Sequence, residues 1–96
     1  MTVHLRPEAE ADVADAARWY EEQRPGLGAE FLDEVLRTFS SISEHPDLGP
    51  RVHGEIRRAL TRRFPFGVFY LCDESEQVVL AVMHGSRDPS RWKGRA

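Results

Sequence analysis

At 96 residues the chain has room for one domain, spanning 1–96, of a size that buries roughly 60–70% of the surface its unfolded form exposes. With 41% hydrophobic and 30% charged residues it falls outside the composition of disordered chains, and no apolar run reaches the roughly 18–20 residues of a membrane span. The formal charge of −3 conceals a division: residues 1–50 carry four arginines against eleven acids, whereas residues 51–96 carry nine cations against five acids.

The opening MTVHLRPEAEAD lacks the charged start and apolar middle of a signal peptide, so a cytoplasmic protein is expected. Within it TVHLR alternates Val3 and Leu5 with His4 and Arg6, the pattern of a short strand with one apolar face. Pro7 then suits a first helical turn, and Glu8, Glu10 and Asp12 complement the positive end of a helix dipole. Val13, Ala16, Ala17 and Tyr20 recur at helical spacing until Arg24-Pro25-Gly26 ends the helix. From Leu27 a second stripe, Phe31, Leu32, Val35, Leu36, Phe39 and Ile42, runs to His45-Pro46, where the residue before proline is steered out of the helical region. Two such helices form a hairpin, and their apolar stripes need a sheet to cover.

The loop HPDLGPRVHG separates this hairpin from three predicted strands, residues 56–62, 67–72 and 77–84. In the first of them alternation sends Arg57, Thr61 and Arg63 to one face and Ile56, Arg58, Leu60 and Arg62 to the other. In the last, Val78, Leu80 and Val82 should oppose Val79, Ala81 and Met83, so this strand is apolar on both faces and belongs inside the sheet. Asp88-Pro89 resembles an N-cap followed by a first-turn proline, which predicts a short helix over 89–95 with Arg91 and Arg95 on one side. The order is therefore β-α-α-β-β-β with a short C-terminal helix, an α+β protein without repeats or linkers.

Catalytic motifs are scarce. The histidines at 4, 45, 53 and 84 have no spacing that puts two ligands on one metal, and the lone Cys72, expected as a buried packing thiol, completes neither a zinc site nor a disulfide. Neither a metal nor a cofactor is expected. His84 at a strand end, with Arg57, Arg58, Arg62, Arg63 and Arg87 within reach of it, could grip a phosphodiester, the imidazole acting as general acid or base. Against that reading, a strand-end histidine is usually a hydrogen-bonded structural residue, an arginine row is as often a solvated edge, and Trp92 can simply pack over the sheet.

PEAEADVADAARWY, AEFLDEV, IRRALTRRFPFGVFY and VVLAVMHGSRDPSRW, taken together, resemble the RelE/ParE superfamily, toxins of type II toxin-antitoxin systems. The resemblance implies an antiparallel sheet packed against a two-helix hairpin, and a cognate antitoxin whose extended segment wraps the toxin. Its nuclease members place basic residues on the strand after the helices, an arginine in Tyr-Arg-x-x-Tyr on the next, and another arginine after the last strand. Here Arg57 and Arg58 match the first, Arg87 the third, and His84 or Trp92 a loose C-terminal element, but Gly67 stands where the second is required.

That gap makes the chain more similar to the ParE branch, which poisons DNA gyrase and serves plasmid stabilisation, than to ribosome-dependent mRNA interferases. The ParE-like reading makes the chain a non-enzymatic inhibitor of growth. Its target-binding candidates are Arg57, Arg58, Arg62, Arg63, Arg87, Arg91, Trp92, Lys93 and Arg95, and its antitoxin-binding candidates are Trp19, Tyr20, Phe64, Phe66 and Phe69. The alternative is a nuclease using His84, Arg87 and Arg58 on ribosome-bound mRNA, and a second alternative is a nucleic-acid-binding module without toxicity.

Overall fold

The computed structural model describes residues 2–86 and 88–96. Strand β1 (Thr2–Leu5) leads into helices α1 (Pro7–Gln23) and α2 (Leu27–Glu44), followed by β2 (Arg51–His53), β3 (Ile56–Leu60), β4 (Phe66–Cys72), β5 (Glu76–His84) and the single turn α3 (Ser90–Lys93). The sheet order is β1-β5-β4-β3-β2. From β2 to β5 neighbours are antiparallel, as expected, but β1 joins β5 in parallel, so the sheet is mixed. Running α1 and α2 as an antiparallel pair across one face returns the chain to the far side of the sheet, which makes a parallel β1 the natural outcome.

Helix α1 starts on Pro7, whose missing N–H costs nothing at that position. The hairpin turn needs Gly26, whose φ of 90° lies in the left-handed region. Glu21 of α1 reaches over to accept the N–H groups of Gly26 and Gly28, satisfying donors that the start of α2 leaves without a helical acceptor. On α2, Phe31, Val35 and Ile42 are buried whereas Leu32 and Leu36 stay exposed, so the core-facing stripe is narrower than the sequence spacing suggests.

The main core lies between the helices and one sheet face, where Phe31, Val35 and Ile42 meet Ala59, Val68, Tyr70, Val79 and Val82. A second cluster covers the opposite face: Ile56, Phe69, Leu80, Ala81 and Met83 close under Trp92 of α3. The indole stacks on Phe69 with ring centroids 4.4 Å apart and an interplanar angle of 18°. The two-sided burial expected of β5 is thus supplied by helices on one side and a single tryptophan on the other.

Three expectations need correction. The alternation in β5 fails because its pairing with β4 shifts register between Phe69 and Tyr70, which face Ala81 and Val79 with Leu80 as the extra residue. Val79 and Val82 therefore share the helix-covered face while Leu80, Ala81 and Met83 share the other. Strand β3 stops at Leu60 instead of continuing to Arg62, because Thr61 turns its N–H and hydroxyl onto Phe66 O and the chain bends. Strand β2, at three residues between Pro50 and Gly54, was too short to show alternation and reads as loop in the sequence.

Candidate binding surfaces

Strands β1 and β2 each cover only part of the strand they flank. β1 pairs with Glu76 to Val79 of β5, and β2 pairs with Ile56 and Arg57 of β3. The row Leu60, Gly67, Met83, formed by cross-strand partners on β3, β4 and β5, lies beyond both. A groove opens at each end of that row.

The first groove, about 770 Å³, runs between α1 and the C-terminal half of β5 and is lined by Trp19, Tyr20, Phe66, His84 and Arg91 with Asp12, Asp15 and Asp88. Trp19 is 57% exposed and meets Tyr20 edge-on at 5.1 Å. Tyr20 in turn packs on Phe31, Phe64 and Phe66, and partial burial pushes its hydroxyl above the usual tyrosine range. The floor is the bare edge of β5, finished by side chains. Asp12 accepts the Val82 N–H (3.0 Å) and holds Arg95 (2.6 Å), and Arg95 donates to Leu80 O (3.1 Å). Arg6 closes the loop by donating to the Arg95 carbonyl. Asp88, which accepts the Ser90 N–H, is held below the usual aspartate range by that bond.

The second groove, about 950 Å³, lies between the C-terminal half of α2 and the end of β3, lined by Arg37, Arg58, Arg62, Arg63, Leu48 and Leu60 among others. Leu48 and Leu60 are 51% and 65% exposed. Arg63 is anchored here: its N–H goes to Glu34 (3.1 Å), its guanidinium to Glu30 (2.8 Å), and its charge lies 5.0 Å from the Phe64 ring centre. Hydrogen bonds from Arg63 and Arg24 lower the Glu30 pKa. Arg37 stands 4.0 Å from Glu34, and among the described residues Arg58 and Arg62 have no carboxylate within ion-pairing distance.

The nine cations and aromatic residues proposed for target binding separate accordingly. Arg57 turns toward the helices and donates to Gly49 O (2.7 Å), a brace for the loop before β2. Arg95 is committed to Asp12, and because α3 ends at Lys93 it does not share a helix side with Arg91. Trp92 is buried and belongs to the core of the second face. Arg58, Arg62, Arg63, Arg91 and Lys93 remain at the surface, Lys93 with its amine 5.9 Å from the Trp92 ring centre. Arg87 lies outside the described residues.

Of the antitoxin candidates, Trp19, Tyr20 and Phe66 converge on the first groove, whereas Phe64 and Phe69 are buried on opposite sides of the sheet. Cys72, expected inside, is exposed at the end of β4 with its Sγ 3.3 Å from Pro46 O. Loss of solvation around the sulfur raises its pKa, which keeps it a thiol and a poor nucleophile.

For phosphodiester chemistry the geometry is thin. His84 Nδ1 accepts the Ser86 N–H (3.1 Å) and lies 2.8 Å from the Ser86 hydroxyl, so Nδ1 is the ring nitrogen engaged with Ser86. Beside it Gly67 carries no side chain, and a Cβ placed there would stand 3.1 Å from Arg58 Cγ and Cδ. The stem of Arg58 thus occupies the space above Gly67. No cluster of three or more metal-ligating side chains exists among the described residues, and no helix among them is long and apolar enough to cross a membrane.

Two comparisons bear on this architecture. Residues 3–89 match the family profile described as "ParE toxin of type II toxin-antitoxin system, parDE". The chain belongs to the ParE toxin family. The ParE fold is shared with a solved structure of the chromosomal ParDE TA system from P. aeruginosa, at a TM-score of 0.77 and 16% identity over 88% of this chain and 95% of that one. A search of curated proteins returns no significant match. The hairpin, the mixed sheet and the short C-terminal turn are therefore those of a ParE toxin.

The sequence reading missed Asp12, Leu48, Leu60 and Arg37 as surface-defining residues. Asp12 carries one usable signal, an acid in the first turns of a helix that must cross a strand edge. Leu48 and Leu60 carry none, because only the partial reach of β2 leaves them bare.

Proposed function

We infer that this ParE-family chain arrests growth by binding DNA gyrase, without cutting a substrate, and that a cognate antitoxin neutralises it in the cytoplasm. The observation that carries the non-enzymatic part is Gly67: a nuclease centre beside His84 needs a second fixed positive charge there, and glycine supplies none. Two helices of 17 and 18 residues leave an extended hairpin face for protein–protein contact. Trp19, Tyr20 and Phe66 at the first groove are the apolar part of the antitoxin contact in this reading. Purified gyrase should lose supercoiling activity in the presence of the chain. Normal supercoiling together with specific cleavage of ribosome-bound mRNA would reverse the assignment.

One observation favours the nuclease reading: the stem of Arg58 lies over Gly67, so β3 carries a cation on the residue packed against the position that lacks an arginine. Expression of a His84→Ala chain separates the two. Growth arrest survives in the gyrase reading and disappears in the nuclease one. Strong expression of the unaltered chain without its genetic neighbour should stop growth in either case, and unaffected growth sinks the toxin function as stated.

A further inference from the structure

The two grooves differ in the charge they leave unpaired. At the α1/β5 groove Asp12 is held by Arg95 and Asp15 by Arg18, whereas at the α2/β3 groove Arg63 and Arg37 have carboxylate partners but, among the described residues, Arg58 and Arg62 have none within ion-pairing distance. We propose that the α2/β3 groove is the docking surface for an acidic segment bearing apolar side chains, carried by a partner protein. This rests on the antitoxin reading above, and it gives the acidic part of that partner a second surface beside the aromatic contact.

Three features of the groove select that occupant. Leu48 and Leu60, half or more exposed, flank it on the loop and strand sides and offer apolar area that a nucleic acid backbone has no means to cover. Among the described residues Arg58 and Arg62 have no carboxylate partner, and a guanidinium pairs bidentately with carboxylate as with phosphate, so the charge asks for an anionic occupant and the leucines make it a peptide. Leu60 is the last residue of β3 and lies beyond the reach of β2, so its outward backbone groups are available to an extended chain. At the first groove Asp12 and Asp15 are already paired with Arg95 and Arg18, and Asp88 feels the charge of Arg91, so the unpaired guanidinium charge that draws an acidic tail lies at the second.

The test is a titration of the isotope-labelled full chain, followed by backbone NMR, with three probes: a short synthetic peptide of alternating leucine and glutamate, its leucine-lysine counterpart, and an oligothymidylate. The acidic peptide is expected to perturb Leu48, Arg58, Leu60 and Arg62, and the lysine peptide to leave them unmoved. Arg58→Glu/Arg62→Glu and, separately, Leu60→Asp should each weaken the acidic peptide roughly tenfold or more while keeping the wild-type spectrum elsewhere. In cells Leu60→Asp should still arrest growth but be poorly silenced by the antitoxin. The proposal is overturned if the acidic peptide settles at Trp19 and Phe66 and leaves Leu60 and Arg62 unmoved, if the oligothymidylate occupies the groove more tightly, or if folded variants keep their affinity. Growth arrest in such a case leaves the toxin reading standing, so the two can fail separately.

Discussion

The two bare ends of the row Leu60-Gly67-Met83 began with the same problem and were finished differently. A strand edge in water presents unpaired N–H and C=O groups, a template for any other strand. At β5 the chain closes the edge itself: Asp12 takes the Val82 N–H, Arg95 takes the Leu80 carbonyl, and the two side chains neutralise one another. At β3 the loop before β2 comes close, since a Cβ on Gly49 would stand 2.3 Å from Arg58 O, but it stops short of Leu60. The closed edge consumes a charge pair and yields stability. The open edge keeps its arginines free and has something left to bind with.

That contrast can be broken at several points, and the largest effect is expected from the residue the sequence placed among the target contacts. Trp92→Ala should cost about 3–5 kcal/mol in urea unfolding, because it uncovers Phe69, Leu80 and Met83 and leaves a cavity. A variant of unchanged stability would return Trp92 to the surface. Asp12→Ala should cost about 1–3 kcal/mol, since Val82 N–H and Arg95 both lose their acceptor. A double-mutant cycle with Arg95→Ala should show coupling of about 0.5–3 kcal/mol, and additive effects would mean that the edge is not closed by that pair.

Leu60→Asp at the open edge should change stability by no more than about 0.5 kcal/mol by the same measurement, so that any loss of partner binding is a loss of contact. The smallest expected effect concerns the Glu30 network that steadies Arg63. Its folded pKa is depressed, chiefly by the Arg63 hydrogen bond, so its contribution is present above the ordinary glutamate value of 4.5 and disappears as pH falls through the lower folded value. Glu30→Gln should flatten the acid side of the stability profile slightly, and a profile identical to wild type would dismiss the pair as cosmetic.

Much of this molecule is readable in one dimension. Pro7, the helical spacing of Phe31, Val35 and Ile42, the turn at Gly26 and the apolar run of β5 are local properties, and each element they predict is present. The errors cluster where a residue's face depends on a partner elsewhere in the chain. The β5 bulge is a register decision made against β4, and it moved Val82 to the helix-covered face. Arg57 and Arg58 are neighbours of identical chemistry, yet strand alternation gives one to Gly49 as a brace and the other to the open face.

By itself, therefore, the sequence determined the elements, their order, the family resemblance and the division of charge between the two halves of the chain. Those follow from short-range spacing and from counting. Only the tertiary structure decided which cations are free. An arginine's role depends on whether a carboxylate or carbonyl lies within ~3 Å, and folding brings Asp12 to Arg95 across 83 residues while, among the described residues, bringing no carboxylate to Arg58 or Arg62.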